Sequence, residues 1–382
     1  MGIGRSEGAV VTSRERVQAS FGGAPVDRMP VTVLYWPLCQ QDHFAELADR
    51  PQSELHEWLY AEPEDHLRLW WQMMDSTPFD ILQPQSAATR DERKRQRCTP
   101  HQQLADFRGR SGHARDYTAN QTRYVFDRAD VDDRVMIVPA ADITASGVND
   151  YLEALVTEVG ETEFILSGGV IGTLYSCGSY VGMENIYPML IEEPDLVHYL
   201  SSRILEQKIE EIRALVAAGG DAIFIDDATA TSDMISIAQY EHASLPYITE
   251  MVREIQRLGR KAILIYFGGV ADRLDQIVST AADALSVETS MKGYVNDIAE
   301  IAARVGDRLT LFGNIDPVSV LERGSEEELE AEIIRQVAAG RKCGQGFIIC
   351  TGSPITPGTP VSRVQRFIEL SHKRRATEST NA

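Results

Sequence analysis

The chain is short of cysteine, of positive charge and of long apolar runs, and each shortage removes a class of protein. Its 382 residues hold five cysteines, Cys39, Cys98, Cys177, Cys343 and Cys350. They form no CxxC pair and no framework spacing, so a disulfide scaffold is excluded and a reducing, cytoplasmic setting is expected. Lys and Arg number 37 against 57 Asp and Glu, a formal charge of −20. Such a surface repels phosphate backbones and argues against a nucleic-acid partner. One basic cluster, Arg90, Arg93, Lys94, Arg95 and Arg97, is interleaved with Asp91 and Glu92 and reads as a solvated loop or helix face. No apolar run is long enough to span a bilayer, so no membrane partner is expected. Residues 1–12 are Gly-rich, lack the apolar core of a signal peptide and read as a flexible lead-in.

What the chain does have is a core, with 43% hydrophobic residues, and a repeating order within it. Short runs rich in Val, Ile, Leu and Phe lie at 31–36, 79–83, 163–168, 222–226, 262–267, 284–288, 309–313 and 346–350. They are continuous in hydrophobicity rather than alternating, as parallel strands buried on both faces are. Between most of them, apolar residues recur at helical spacing, as in Leu200, Ile204, Ile209, Ile212 and Leu215. Strand and helix alternating eight times predict an α/β fold, a (β/α)8 TIM barrel, over 13–376 as one domain, with 377–382 as a tail. The interval of about 85–160 is too long for one helix. Tyr117-Thr118 and Arg123-Tyr124-Val125-Phe126 read as a hairpin there, within an insertion after the second strand.

Catalytic groups in such a barrel stand where strands end, which yields candidates directly. Asp80 is placed after the second run, Ser167 to Gly169 after the third, Asp226 and Asp227 after the fourth, and Tyr266 with Gly268 after the fifth. Glu288 follows the sixth, Asn314 and Asp316 the seventh, and Cys350 to Ser353, with Gly352, the eighth. One of the Asp226-Asp227 pair suits the N-cap of the next helix, and Asp316-Pro317 has the form of an N-cap with Pro at the first helical position. Glu288 ends a buried run and requires either a structural partner or a ligand. Gly168-Gly169-Val170-Ile171-Gly172 has neither a dinucleotide fingerprint nor a phosphate-loop lysine, and reads as close backbone approach to a ligand or a helix. Trp70-Trp71 reads as core, while Tyr35 and Trp36 are open to stacking on a ligand.

Gly313-Asn314-Ile315-Asp316-Pro317, Gly346 to Pro354 and Pro357-Gly358-Thr359-Pro360 resemble the last strands of the uroporphyrinogen decarboxylase superfamily. Pro25 to Pro30, Phe79-Asp80-Ile81-Leu82 and Gly219 to Asp227 extend the likeness over about residues 12–375, and Gly182-Met183-Glu184-Asn185 resembles its corrinoid-dependent methyltransferase branch. Thiol-directed members of that branch carry a His-x-Cys after strand five and a Cys after strand eight. Here Ile265, Phe267 and Ser353 fill those positions, so no zinc is expected. The decarboxylases carry an Arg-rich segment after strand one, where this chain has Leu34 to Cys39, and the Arg partners that a many-carboxylate tetrapyrrole needs are absent.

The resemblance therefore implies the zinc-free group, which moves a methyl between a corrinoid (cobalamin) and tetrahydrofolate as co-substrate. It implies Asp226, Asp227 and Glu288 for the pterin's guanidine-like edge, Asn314 for N5 or its neighbouring carbonyl, and Glu184 or Asp80 for the proton. Tyr266 would gate or stack, and Gly169, Gly268, Gly352 and Ser353 would line the site. A separate corrinoid carrier protein or free cobalamin is the implied partner, and a homodimer is an option that no residue pattern decides. Three alternatives stay open: thiol transfer at a rearranged zinc site built from Cys350, Glu288 and His242, a decarboxylase, and a barrel that binds a corrinoid or tetrapyrrole without turning it over.

Overall fold

A computed structural model of the chain describes residues 11–96, 122–352 and 354–374. Among these residues seven strands form one parallel sheet in chain order: β1 (Ile81–Leu82), β2 (Phe164–Ile171), β3 (Ala222–Asp226), β4 (Lys261–Tyr266), β5 (Ala284–Val287), β6 (Thr310–Phe312) and β7 (Phe347–Ile348). The sheet curls, and residues 30–32 run between its two edges. Thr32 N–H donates to the Ile349 carbonyl (3.0 Å), Ile349 N–H to that of Pro30 (2.8 Å), and Asp80 N–H to that of Val31 (2.9 Å). This is a TIM-like arrangement with helices outside the sheet.

The sequence predicts eight strands; the run at 31–36 contributes one bridge, Val31 to Ile349, instead of a strand. Pro30 has no N–H to give, Tyr35 turns into the left-handed region at φ 60°, and Pro37 opens the helix Trp36–Asp42. The expected hairpin is also corrected in part. Arg123 to Phe126 forms no strand, because Tyr124 N–H is spent on the Tyr180 carbonyl (2.8 Å). The other arm, Tyr117-Thr118, lies outside the described residues. The described remainder of 85–160 is helical: Arg90–Gln96, Arg128–Arg134, Ala140–Ser146 and Asp150–Val159. The basic cluster is not wholly solvated either, since Arg93 is 2% exposed and bonds Asp150.

Both faces of the strands are buried, which accounts for their continuous hydrophobicity. Leu34, Ile81, Leu166, Ile263, Phe312 and Ile348 point into the curl, together with Val17 and Phe21 from α1 (Ser13–Phe21). The alternate positions, such as Ile223, Ile225 and Leu285, pack under the helices. α1 starts with a capping box on Thr12 and Glu15 and covers the end where the strands begin. Arg14 N–H donates to the Thr162 carbonyl (3.0 Å), its guanidinium pairs with Asp221 (2.8 Å), and Ser20 Oγ donates to the Phe347 carbonyl (3.1 Å).

That geometry corrects the placement of Asp80. β1 begins at Ile81, so Asp80 stands at the start of its strand, on the α1 side, and not at the mouth. It is 1% exposed and accepts from Arg16 (2.8 Å), from Arg28 (2.6 and 2.8 Å) and from Val31 N–H (2.8 Å). Its two oxygens are consumed in tying α1 and the 30–32 segment to the sheet.

Candidate functional site

The opposite end, where the strands finish, is the open one. Alternation along β3 turns Ala222 and Phe224 inward, and Asp226 follows in the same phase. Asp226 Oδ2 accepts from the Tyr35 hydroxyl at 2.5 Å, a bond thrown across the mouth from the segment after residues 30–32. Its other oxygen, Oδ1, is buried with no hydrogen-bond partner. Burial drives the carboxyl up to about 6; the Tyr35 hydroxyl and the Ala228 N–H oppose the rise and the Asp227 charge adds to it. A group held there changes charge near neutrality.

Aromatic rings wall this carboxyl. Tyr35 meets Phe224 edge-on, with centroids 5.4 Å apart, and lies 6.5 Å from Phe267. All three are partly exposed. Gly169 makes room for them, since a Cβ there would sit 2.1 Å from the Phe224 ring. The close approach expected of the glycine run is thus made to an aromatic side chain.

Asp227 has a different task. It turns outward and accepts from Ser244 Oγ (2.9 Å), Thr229 Oγ1 (3.1 Å) and Tyr175 N–H (3.2 Å) in the first turn of the helix Thr173–Val181. Burial raises it to about 6 as well, opposed by those bonds. Asp227 thus meets the start of a helix that precedes β3, whereas the next helix after β3, Ile237–Ala243, is capped by Ser236 and by neither aspartate, which corrects the expected cap.

On the far side of the mouth the polar groups are engaged with one another. Glu288 Oε2 accepts from Gly268 N–H (2.8 Å) and from the Tyr294 hydroxyl (2.6 Å). Asn314 is 4% exposed; its Nδ2 donates to the Asn296 carbonyl (2.8 Å) and the Glu288 carbonyl (3.3 Å), and its Oδ1 accepts from Gln336 (3.0 Å). Its amide is used up in fixing the ends of β5 and β6. Asp316 caps its own turn through Val318 and Ser319 N–H, both at 2.8 Å, as the Asp-Pro pair predicts. Tyr266 is buried and donates to the Ala230 carbonyl (2.9 Å). Gly268 holds φ at +83°, a conformation for glycine, and Gly352 lies with its backbone against Thr289. Ser353 lies outside the described residues. Glu184 is exposed at the start of the helix Met183–Glu192, separated from the strand ends by all of Thr173–Val181.

Among the described residues no three of His, Cys, Asp and Glu gather as metal ligands, and no helix is long and apolar enough to cross a membrane. Ile265 packs inside the curl, and Cys350 is buried there with its thiol pushed up to about 12 by desolvation. Sequence reasoning missed the Tyr35 to Asp226 bond. The left-handed turn that aims Tyr35 leaves no mark in composition, although the Tyr-Trp-Pro run at a strand's end is a signal that the chain turns there.

The chain belongs to the uroporphyrinogen decarboxylase (URO-D) family, whose model matches residues 114–374. A uroporphyrinogen decarboxylase of Tolumonas auensis is 30% identical over 51% of this chain and 53% of that protein. Another, of Hahella chejuensis, is 26% identical over 67% of this chain and 71% of that protein. With the first relatives the match spans about half the length of the proteins compared. A solved methyltransferase from Methanosarcina mazei is similar in fold, with a TM-score of 0.68 at 19% identity, covering 95% of this chain and 99% of that one.

Proposed function

We propose that this chain is a methyltransferase that moves a methyl group between a corrinoid and tetrahydrofolate. The observation that carries the reading is Asp226, a buried carboxyl at the mouth, walled by Tyr35, Phe224 and Phe267, with one oxygen unpartnered. A buried acceptor without a donor is costly, and a flat heterocycle with N–H groups on its edge supplies the donor while its faces meet the rings. The pterin of tetrahydrofolate has that shape and that edge. The strand-end turns at 33–37, 82–87, 171–174, 226–229, 266–269, 287–289, 312–315 and 348–352 contain no Lys, Arg or His, which suits a neutral ring system better than a substrate of many carboxylates.

The rim offers exposed apolar side chains to a large apolar co-substrate. The turns after β3, β4 and β5 converge, with Gly269 N–H, after β4, donating to Ser232 Oγ (2.9 Å), after β3, beside Tyr294, after β5. Those turns expose Met234 (50%), Met291 (50%) and Val295 (73%). These three residues would hold the corrinoid, which when bound supplies the methyl group. The protein's own part is position and charge: Asp226 accepts the pterin's N–H donors, the ring wall fixes its plane, and Asn314 with Gln336 keeps the rim in place. Orientation of this kind is worth up to about 7–11 kcal/mol of barrier.

Anaerobic absorbance of methylcobalamin mixed with the protein tests this. Loss of the methylated form should require both protein and tetrahydrofolate; folded protein that leaves it unchanged overturns the proposal. A decarboxylase is the second reading, favoured by the names of the curated relatives, and release of carbon dioxide from a pyrrole carboxylate without any corrinoid would identify it.

A further inference from the structure

Among the described residues four buried polar atoms on the strand-end turns have no hydrogen-bond partner: Gln85 Nε2 after β1, and three that come from the neighbouring ends of β2 and β3. The three are Asp226 Oδ1 at the end of β3, Thr173 Oγ1 just past the end of β2, and Thr231 Oγ1 on the turn that leaves β3. The two ends are stitched together: Ile171 pairs with Asp226 in register, and Gly172 N–H donates to the Asp226 carbonyl (2.6 Å). Thr173 is 0% exposed, Thr231 6% and Asp226 8%. Across the mouth, by contrast, the Asn314 amide has its partners within the protein.

Resting on the functional reading above, we propose that the β2–β3 quadrant receives the polar edge of the acceptor, with Thr173 and Thr231 as residues that determine its specificity. Native interiors leave few polar atoms unsatisfied, and three in one quadrant mark a place whose partners arrive from outside. The chemistry is complementary to one edge of a pterin. A carboxylate takes N–H donors and gives none, whereas a hydroxyl can donate to the adjacent ring carbonyl. Together they specify an amide-like edge of donors beside an acceptor, and they disfavour a ligand that offers donors alone. Tyr35 borders this quadrant by its bond to Asp226 Oδ2, which leaves Oδ1 as the oxygen offered to the ligand.

Thr173→Val and Thr231→Val test the assignment, because valine keeps the shape and removes the hydroxyl. Two readouts are needed: equilibrium binding of tetrahydrofolate under anaerobic conditions, and thermal unfolding of the free protein. Each variant should bind about fivefold more weakly, the loss of one neutral hydrogen bond. Each should also unfold at a higher temperature without ligand, since an unpartnered buried hydroxyl has been removed. Thr→Ser at the same positions, retaining the hydroxyl, should bind as wild type does. Lower stability of both valine variants, with affinity unchanged, would show hydroxyls satisfied by framework or water and overturn the assignment. Wild type that binds while both valine variants match its Kd overturns it too. Wild type that binds no tetrahydrofolate overturns the functional reading itself.

Discussion

Replacing Asp226 by Asn should make the protein more stable and less able to hold its acceptor. Asparagine has nearly the same shape, and its carbonyl can still accept from the Tyr35 hydroxyl. What disappears is a charge confined by burial. The wild-type carboxyl moves from 3.8 to about 6 on folding, and at 1.36 kcal/mol per pH unit that interval is worth about 3 kcal/mol. The folded state holds the proton more tightly than the unfolded state does. The contribution is therefore fully present below about pH 4 and is lost as pH rises through about 6. Wild type and Asp226→Asn should unfold at similar denaturant concentrations near pH 3.5, whereas at pH 7.5 the variant should be the more stable, by up to about 3 kcal/mol. Acceptor binding should weaken by about 10- to 100-fold, the value of a hydrogen bond to a charged group. Chemical denaturation at the two pH values is the assay. A variant less stable than wild type at pH 7.5, or a difference independent of pH, would refute the assignment of Asp226 as a buried, strained charge.

Tyr35→Phe removes the bond that lowers the Asp226 carboxyl, so the pH midpoint for acceptor binding should move upward from about 6 while the ring wall is kept; binding measured across pH 5 to 8 reads this directly. Asp80→Ala should cost about 3–5 kcal/mol, because it strips a shared partner from Arg16 and Arg28 in a buried setting, and the molecules that remain folded should keep wild-type turnover. Gly169→Ala forces a Cβ to within 2.1 Å of the Phe224 ring; the ring must shift, with an overpacking cost of about 1–3 kcal/mol and a raised KM for the acceptor.

The order of strands was legible because each is buried on both faces and written in unbroken apolar letters. β3, β4 and β5 fall within a residue of the runs at 222–226, 262–267 and 284–288. Caps were legible for the same local reason, as Asp316 shows. Long-range pairing was not. Phe79-Asp80-Ile81-Leu82 reads as a strand in which the acid belongs near the finish, and only Arg16 and Arg28, 64 and 52 residues away, reveal that it belongs at the start. The partners of Asn314 and Glu288 were hidden for a related reason. A polar residue after a strand looks available in sequence, but Gln336 and Tyr294 engage them from other elements. Tyr35 was seen as an aromatic and missed as a hydrogen-bond donor, because a single left-handed residue decides where its hydroxyl goes.

The contacts of α1 set a timetable for synthesis. Its last residues bond to partners more than three hundred positions later, Ser20 to Phe347 and Phe21 to Gln345, so a helix made more than three hundred residues before β7 cannot find its place until β7 is made. Until β7 has been made, the sheet has two open edges and its floor has no lid of apolar side chains from Val17 and Phe21. At about 5–20 residues per second, that interval lasts some tens of seconds for a chain of this length. A nascent chain stalled before Phe347 should accordingly be a client of chaperones, and one released past it should not.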